Sequence, residues 1–230
     1  MDTQTKPFIG LTGNQLKIIA MIAMTCDHVG LQLFPQVRWL RWIGRLALPI
    51  YAYMIAEGCR HTRNRKQYLL RLATMAAMCQ IVYFFTMGSL YQCILVTFSL
   101  SVCLIWAMDE AERRRDKRSG IWLAAAALAV FFSCVVLPDL LPWTDFEIDY
   151  GLAGVFLPVL IYFGKPKWAY LITGLVLLAL SYGGDQCLAL AAVPLLMCYN
   201  GKRGRAKIGK LFYWYYPAHL VVIYGLSLIL

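Results

Sequence analysis

The chain has 230 residues, is 60% hydrophobic and only 15% charged, and has a mean hydropathy of +0.61. A soluble domain carries about 25% charged residues, so this composition excludes an ordinary water-soluble fold and reads as an all-α, polytopic integral membrane protein. The net charge of +10 does not imply nucleic-acid binding, because the basic residues stand in short loops between apolar runs and no soluble domain remains to carry a basic face.

In chain order, the start "MDTQTKPFIG" is polar and lacks the features of a signal peptide, so the first apolar run is expected to stay as a helix. Runs long enough to approach the roughly 30 Å of a bilayer's hydrocarbon fall near 15–34, 42–58, 68–87, 91–108, 120–137, 150–164, 168–182, 186–199 and 209–229, which predicts about nine membrane helices. With the N-terminus cytoplasmic and the C-terminus outside, this arrangement puts all but Arg38, Arg41 and Arg45 of the 22 Lys and Arg residues on the cytoplasmic side. No internal duplication, low-complexity tract or Gly/Ser linker divides the chain, so residues 1–230 are expected to form one membrane domain. The eight cysteines have no metal-type spacing, and all but Cys59 lie inside apolar runs; they read as reduced packing residues, with no metal site.

Ionisable groups inside apolar helices are costly and usually face the protein interior. Asp27, His28, Arg45, Glu57, Arg71 and His219 are the candidates here. Lys17 and His28 are eleven positions apart, which at about 100° per residue puts them on one stripe of the first helix, about 16 Å apart along its axis. Lys17 would then stand at the cytoplasmic mouth and His28 near the bilayer centre. Asp27 is rotated about 100° from its neighbour and cannot simply orient that ring. Its carboxylate meets the imidazole through another helix or has its own partner, for which Arg45 and Arg71 are candidates, and Arg41 with Arg45 are placed either to pair with such an acid or to clamp an anion. In "WYYPAHLVVIYG", His219 lies about 14 Å beyond Lys210, close to the depth of His28. Pro217 frees a carbonyl there, and Tyr215 and Tyr216 share the face of His219.

The outer loops are acidic, with Asp139, Asp145, Glu147, Asp149 and Asp185, so they read as solvated loop or as a vestibule attracting a cationic acceptor. The inner loops "RHTRNRKQYLLR" and "NGKRGRAKIGK" satisfy the positive-inside bias and are also suited to holding a multiply phosphorylated ligand. Walker, dinucleotide, HExxH and GxSxG signatures are missing from the sequence.

The stretches "GNQLKIIAMIAMTCDHVG", "IGRLALPIYAYMIAEGCRHTRNRKQYLLRL", "IDYGLAGVFLPVLIYF" and "VPLLMCYNGKRGRAKIGKLFYWYYPAHL" together resemble the TraX family of pilin acetylation proteins, over residues 12 to about 224. TraX proteins are similar in turn to a broader group of transmembrane acyltransferases whose first helix carries a basic residue, ten intervening positions and a catalytic histidine, matched here by Lys17 and His28. The chain departs from the expected pattern in "QCILVTFSL", with Gln92 and Cys93 where an Asn and a Thr-rich segment are expected.

The resemblance implies a bacterial inner-membrane acetyltransferase that moves acetyl from cytoplasmic acetyl-CoA to a pilin-like N-terminal amine, a glycan or a small molecule. His28 would act as general base or acyl carrier, with Asp27 and His219 beside it. Lys17, Arg45, Arg60, Arg63, Arg71, Lys202 and Arg203 are the candidates for holding the donor. Tyr215, Tyr216, Asp149 and Tyr150 are those for the acceptor, and Tyr215, Tyr216, His219 or Arg45 would supply a donor to the oxyanion. Expected partners are the bilayer, acetyl-CoA and the acceptor, with a second copy of the chain left open. The competing expectation is a proton-coupled transporter or flippase with Asp27, His28 and Glu57 as a relay; a third is a non-catalytic assembly partner.

Overall fold

The computed structural model describes residues 10–205 and 209–229, with no side-chain description at 209–213. Lys6, Lys207 and the side chain of Lys210, which the charge argument used, lie outside the described residues. The described residues form helices and two isolated β-bridges, with no named strand among them. In chain order the helices are α1 (Gly13–Gln32), α2 (Arg38–Gly44), α3 (Ala47–His61), α4 (Arg65–Met87), α5 (Ile94–Arg114) and α6 (Lys117–Leu140). They continue as α7 (Gly151–Phe163), α8 (Lys167–Tyr182), α9 (Gly184–Met197) and α10 (Gly209–Ser227). Helices α4, α5 and α6 are each long and apolar enough to cross a membrane.

Two predicted runs differ in detail. The run at 42–58 is two helices, because the chain turns at Arg45 and Leu46. Leu46 N–H closes a tight bond to the Ile43 carbonyl, and Pro49 then falls in the first turn of α3, where its missing amide costs no helical bond. The run at 186–199 is a 3₁₀ stretch, Gly184–Ala191, followed by a short α segment, Ala192–Met197. In α6, a π turn at Phe132–Val136 precedes Pro138, which cannot donate to the carbonyl one turn back.

Helix α1 packs against α2, α3 and α10, α4 packs against α5 and α10, and α7 joins α3, α5 and α8. The core between them is aliphatic and aromatic, including Leu16, Ile50, Tyr53, Phe98, Ile105 and Leu157. Helix α6 is the opposite: Ile121, Trp122, Leu128 and Phe131 all point outward, and only 6% of its most apolar stretch is buried. Such a surface is stable in hydrocarbon and unfavourable in water. Short α2 exposes Trp39 and Trp42 beside Arg38, the amphipathic character of a segment at a membrane interface.

Long-range backbone bonds fix both ends of the bundle. At one end the segment 198–204 wraps the start of α1: the amides of Gly13 and Asn14 donate to the carbonyls of Lys202 and Arg203, at 2.8 and 3.0 Å. Helix starts leave four amides unpaired, so this loop completes α1 together with the Thr12/Gln15 capping box. At the other end, Gln92 N–H donates to the Glu147 carbonyl (2.8 Å) and Asp149 N–H to the Gln92 carbonyl (3.0 Å), tying the acidic loop to the start of α5. All eight cysteines are free thiols.

Candidate functional site

The α1 stripe opens onto two cavities. The first, of about 550 Å³, lies at the end carrying Lys17 and is lined by Met24, Tyr51, Leu72, Phe98, Tyr215 and Tyr216 in its apolar depth. Lys17, Arg71 and Arg203 are its basic residues. The second, of about 850 Å³, lies towards the opposite end and is lined by Asp27, His28, Arg41, Arg45, Asp149 and Tyr150 among other polar groups. Met24 belongs to one cavity and His28 to the other, although they are one helical turn apart. The wall between the cavities is therefore thin.

Near that boundary His28, which lines the second cavity, meets His219 of α10. His28 Nδ1 lies 2.9 Å from His219 Nε2, with ring centroids 5.0 Å apart. His219 is 6% exposed, its Nδ1 lies 3.0 Å from the Tyr215 carbonyl, and Tyr215 stacks on its ring at 5.3 Å with the planes 5° apart. Tyr216 meets the same ring edge-on. The Tyr215 hydroxyl is 2.5 Å from Thr25 Oγ1, which links α10 back to α1. Helical spacing of four thus stacks Tyr215 over His219 and places both against the stripe that carries Thr25 and His28.

Asp27 faces the other way. Its Oδ2 accepts a 2.6 Å bond from Arg41 and its Oδ1 is 3.9 Å from Arg45 Nη2. Arg41 and Arg45, from α2 and the residue that ends it, are therefore its partners; Arg71, the other residue considered, lines the first cavity instead. Gly44 permits the approach, since a Cβ there would fall on the Asp27 side chain. Arg45 also donates to the Tyr150 hydroxyl and to Gln186 Oε1, both at 3.1 Å. Asp27 Oδ1, Arg45 Nε and Gln186 Nε2 are buried without a hydrogen-bond partner among the described residues, and all three residues line the second cavity.

Tyr150 adopts φ +57°, in the left-handed region that non-glycine residues rarely occupy. Its ring meets Tyr182 edge-on, and Gly154 makes room for the turn, since a Cβ there would stand 2.6 Å from the Tyr150 Cβ. Asp149 accepts from the Tyr91 hydroxyl at 2.7 Å, while its carbonyl accepts from Thr97. In the same loop, Asp145 accepts from Ser89 Oγ (2.5 Å) and Leu90 N–H (2.8 Å), and these bonds, the Ser89 one foremost, hold its carboxyl below the usual range.

Among the other predicted donor-binding residues, Lys17, Arg71 and Arg203 come together at the first cavity. Arg45 does not, because it belongs to the opposite cavity. Arg60 is committed to Glu57 (2.6 Å) and to the Ile161 and Tyr162 carbonyls at the end of α7. Arg63 and Lys202 are exposed and border neither cavity. Glu57, the third member of the competing relay, is held by Arg60 near the C-terminal end of α3 and also borders neither. Sequence reasoning did not single out Thr25, Tyr51, Tyr91 or Gln186; only the Thr25 hydroxyl, one turn above Met21 on α1, carried a local signal.

A family model described as TraX protein matches residues 12–227. The chain is 27% identical to "Probable fimbrial assembly protein FimC, serogroup H1" of Dichelobacter nodosus, with 94% of this chain and 95% of that protein aligned. It is also 50% identical to "Uncharacterized protein RP591" of Rickettsia prowazekii (strain Madrid E), over 38 residues that make up 16% of this chain and 15% of the other. No solved structure matches the chain. With the family model covering nearly the whole sequence, from the capped start of α1 to the end of α10, the chain belongs to the TraX family.

Proposed function

We propose that this protein is a membrane-embedded acetyltransferase of the bacterial inner membrane, with its N-terminus cytoplasmic and its C-terminus outside. The donor is cytoplasmic acetyl-CoA, and the acceptor is an amine or hydroxyl on a pilin-like peptide, a glycan or a small molecule. One observation carries the reading: two cavities of unlike chemistry open along one stripe of α1, one lined by Met24, Tyr215 and Tyr216 and the other by His28, which itself contacts His219.

The first cavity suits the donor. It has Lys17, Arg71 and Arg203 to meet phosphates and an apolar lining, Met24, Leu72 and Phe98 among it, to receive an amide arm ending in a thioester. The second suits an acceptor, because the buried unpaired atoms on Asp27, Arg45 and Gln186 offer both an acceptor and donors to a polar ligand. His28 takes the proton from the acceptor's N–H or O–H as the new N–C or O–C bond forms to the acetyl carbon. Collapse of the tetrahedral oxyanion breaks the C–S bond, and the departing thiolate takes the proton back from His28. Tyr216, lining the donor cavity and touching His219, is a candidate to donate to that oxyanion. The fimbrial assembly name of the Dichelobacter relative favours a pilin-like acceptor over the others.

The test is acetyl transfer by the purified chain in liposomes, with labelled acetyl-CoA and a panel of peptide, glycan and small-molecule acceptors. His28→Ala is expected to lower the rate about 10²-fold or more, as loss of a general base does. A folded His28→Ala protein with undiminished transfer would sink the reading.

A further inference from the structure

The hydrogen-bond chain behind His28 has only one consistent direction. It ends on carbonyl oxygens, and a carbonyl accepts but never donates. His219 Nδ1, 3.0 Å from the Tyr215 carbonyl, must therefore carry a proton. A neutral imidazole protonated at Nδ1 has a bare Nε2. His219 is buried, and among the described residues no carboxylate pairs with it, so a second proton would leave an uncompensated buried cation. The bare Nε2 of His219 faces His28 Nδ1 at 2.9 Å, and only a proton on His28 Nδ1 makes that contact a bond.

The same argument fixes Tyr215. Thr25 Oγ1 donates its single hydrogen to the Met21 carbonyl at 2.8 Å, so the 2.5 Å contact has the Tyr215 hydroxyl donating to Thr25. That bond anchors the ring that stacks on His219.

We infer that His219 is a positioning residue that sets the tautomer of His28, holding its proton on Nδ1 and leaving Nε2 as the reactive, unprotonated nitrogen on the side of the acceptor cavity. This deepens the acetyltransferase reading and rests on it for what Nε2 does: the same nitrogen would take the acceptor's proton or, on an acyl-carrier route, the acetyl group. It also removes two groups from the oxyanion's possible donors. The Nδ1 proton of His219 is held by the Tyr215 carbonyl, and the Tyr215 hydroxyl proton is held by Thr25. A carboxylate often orients a catalytic imidazole; here a second imidazole does so, and Asp27 is occupied by Arg41.

The test is the ¹⁵N spectrum of the full chain, labelled at histidine and reconstituted in bilayers. There are three histidines, and exposed His61, which borders neither cavity, is assigned by His61→Gln. His28 and His219 are both expected to be protonated at Nδ1 and bare at Nε2. In His219→Gln the amide oxygen takes over as acceptor, so His28 keeps its Nδ1 proton and transfer falls less than about tenfold. In His219→Leu the acceptor is lost, the His28 proton moves to Nε2, and transfer falls about 10²-fold or more, the direction seen when a base is held in the wrong tautomer. A wild-type His28 protonated at Nε2, or a His28 signal that is the same in the Leu variant as in the wild type, would overturn the inference. Expected tautomers with no acetyl transfer to any acceptor would overturn the proposed function and leave the assignment of the tautomers standing.

Discussion

Removing the Asp27 carboxylate leaves two guanidiniums facing each other in the lining of the second cavity. Arg41 holds that carboxylate at 2.6 Å, with the Asp27 and Arg41 side chains 21% and 26% exposed, and Arg45 stands 3.9 Å away at 14%. An exposed pair couples by about 0.2–1 kcal/mol and breaking a fully buried one costs about 3–5 kcal/mol. At roughly three-quarters burial, Asp27→Asn should lose about 2–3 kcal/mol of stability, because Arg41 keeps its charge without a counter-charge. Arg41→Met should lose less, about 1–2 kcal/mol, since Arg45 still faces the carboxylate. The coupling between the two positions should then be about 1.5 kcal/mol, read from denaturant unfolding of wild type, both single variants and the double variant in detergent micelles. Coupling below about 0.5 kcal/mol would refute the argument and mark the contact as a screened surface pair.

Gly44→Ala should disturb the same junction by another route, because its Cβ falls on Asp27; overpacking of this kind costs about 1–3 kcal/mol, and the loss should shrink in an Asp27→Ala background. Lys17→Gln with Arg203→Gln should raise KM for the acyl donor while leaving kcat within about threefold, since charges that hold a donor's phosphates act equally before and at the transition state; equal loss in kcat would place these charges at the reacting atoms. The acidic loop before α7 should loosen in acid. The Asp145 carboxyl sits below its ordinary value when folded, so its contribution is complete above that ordinary value, near 3.9, and fades as pH falls through the depressed one. Hydrogen exchange of the Leu90 amide should report this, and Ser89→Ala should move the loosening to higher pH.

Local periodicity made part of this arrangement legible in the sequence and hid the rest. The stripe from Lys17 to His28 follows from 3.6 residues per turn, and the two residues do line the two cavities that open from that face of α1. The shared depth of His28 and His219 followed from counting along two helices, and the 2.9 Å contact is its outcome. What counting misses is lateral choice. The partner of Asp27 depended on a break between α2 and α3 that turns Arg41 and Arg45 inward, and hydropathy ran straight through it. The basic loops read alike as charge, yet only Arg203 of "NGKRGR" reaches the first cavity, because backbone bonds from Gly13 and Asn14 pin that loop over the start of α1. Arg60 has the same chemistry and a different fate, capping the end of α7.

The placement of charge explains why the histidines are left to each other. A carboxylate against His219 would favour the imidazolium and raise the cost of passing the proton on, whereas a neutral imidazole fixes the tautomer with no added charge. The one nearby carboxylate on α1 is rotated about 100° from His28 by helical geometry and held by arginines of α2. Adjacency in "CDHVG" therefore separates the two groups in space. Asp27 closes the junction of α1 with α2 beside the second cavity, and the proposed tautomer would leave His28 a bare Nε2 where the two cavities come within a helical turn of each other.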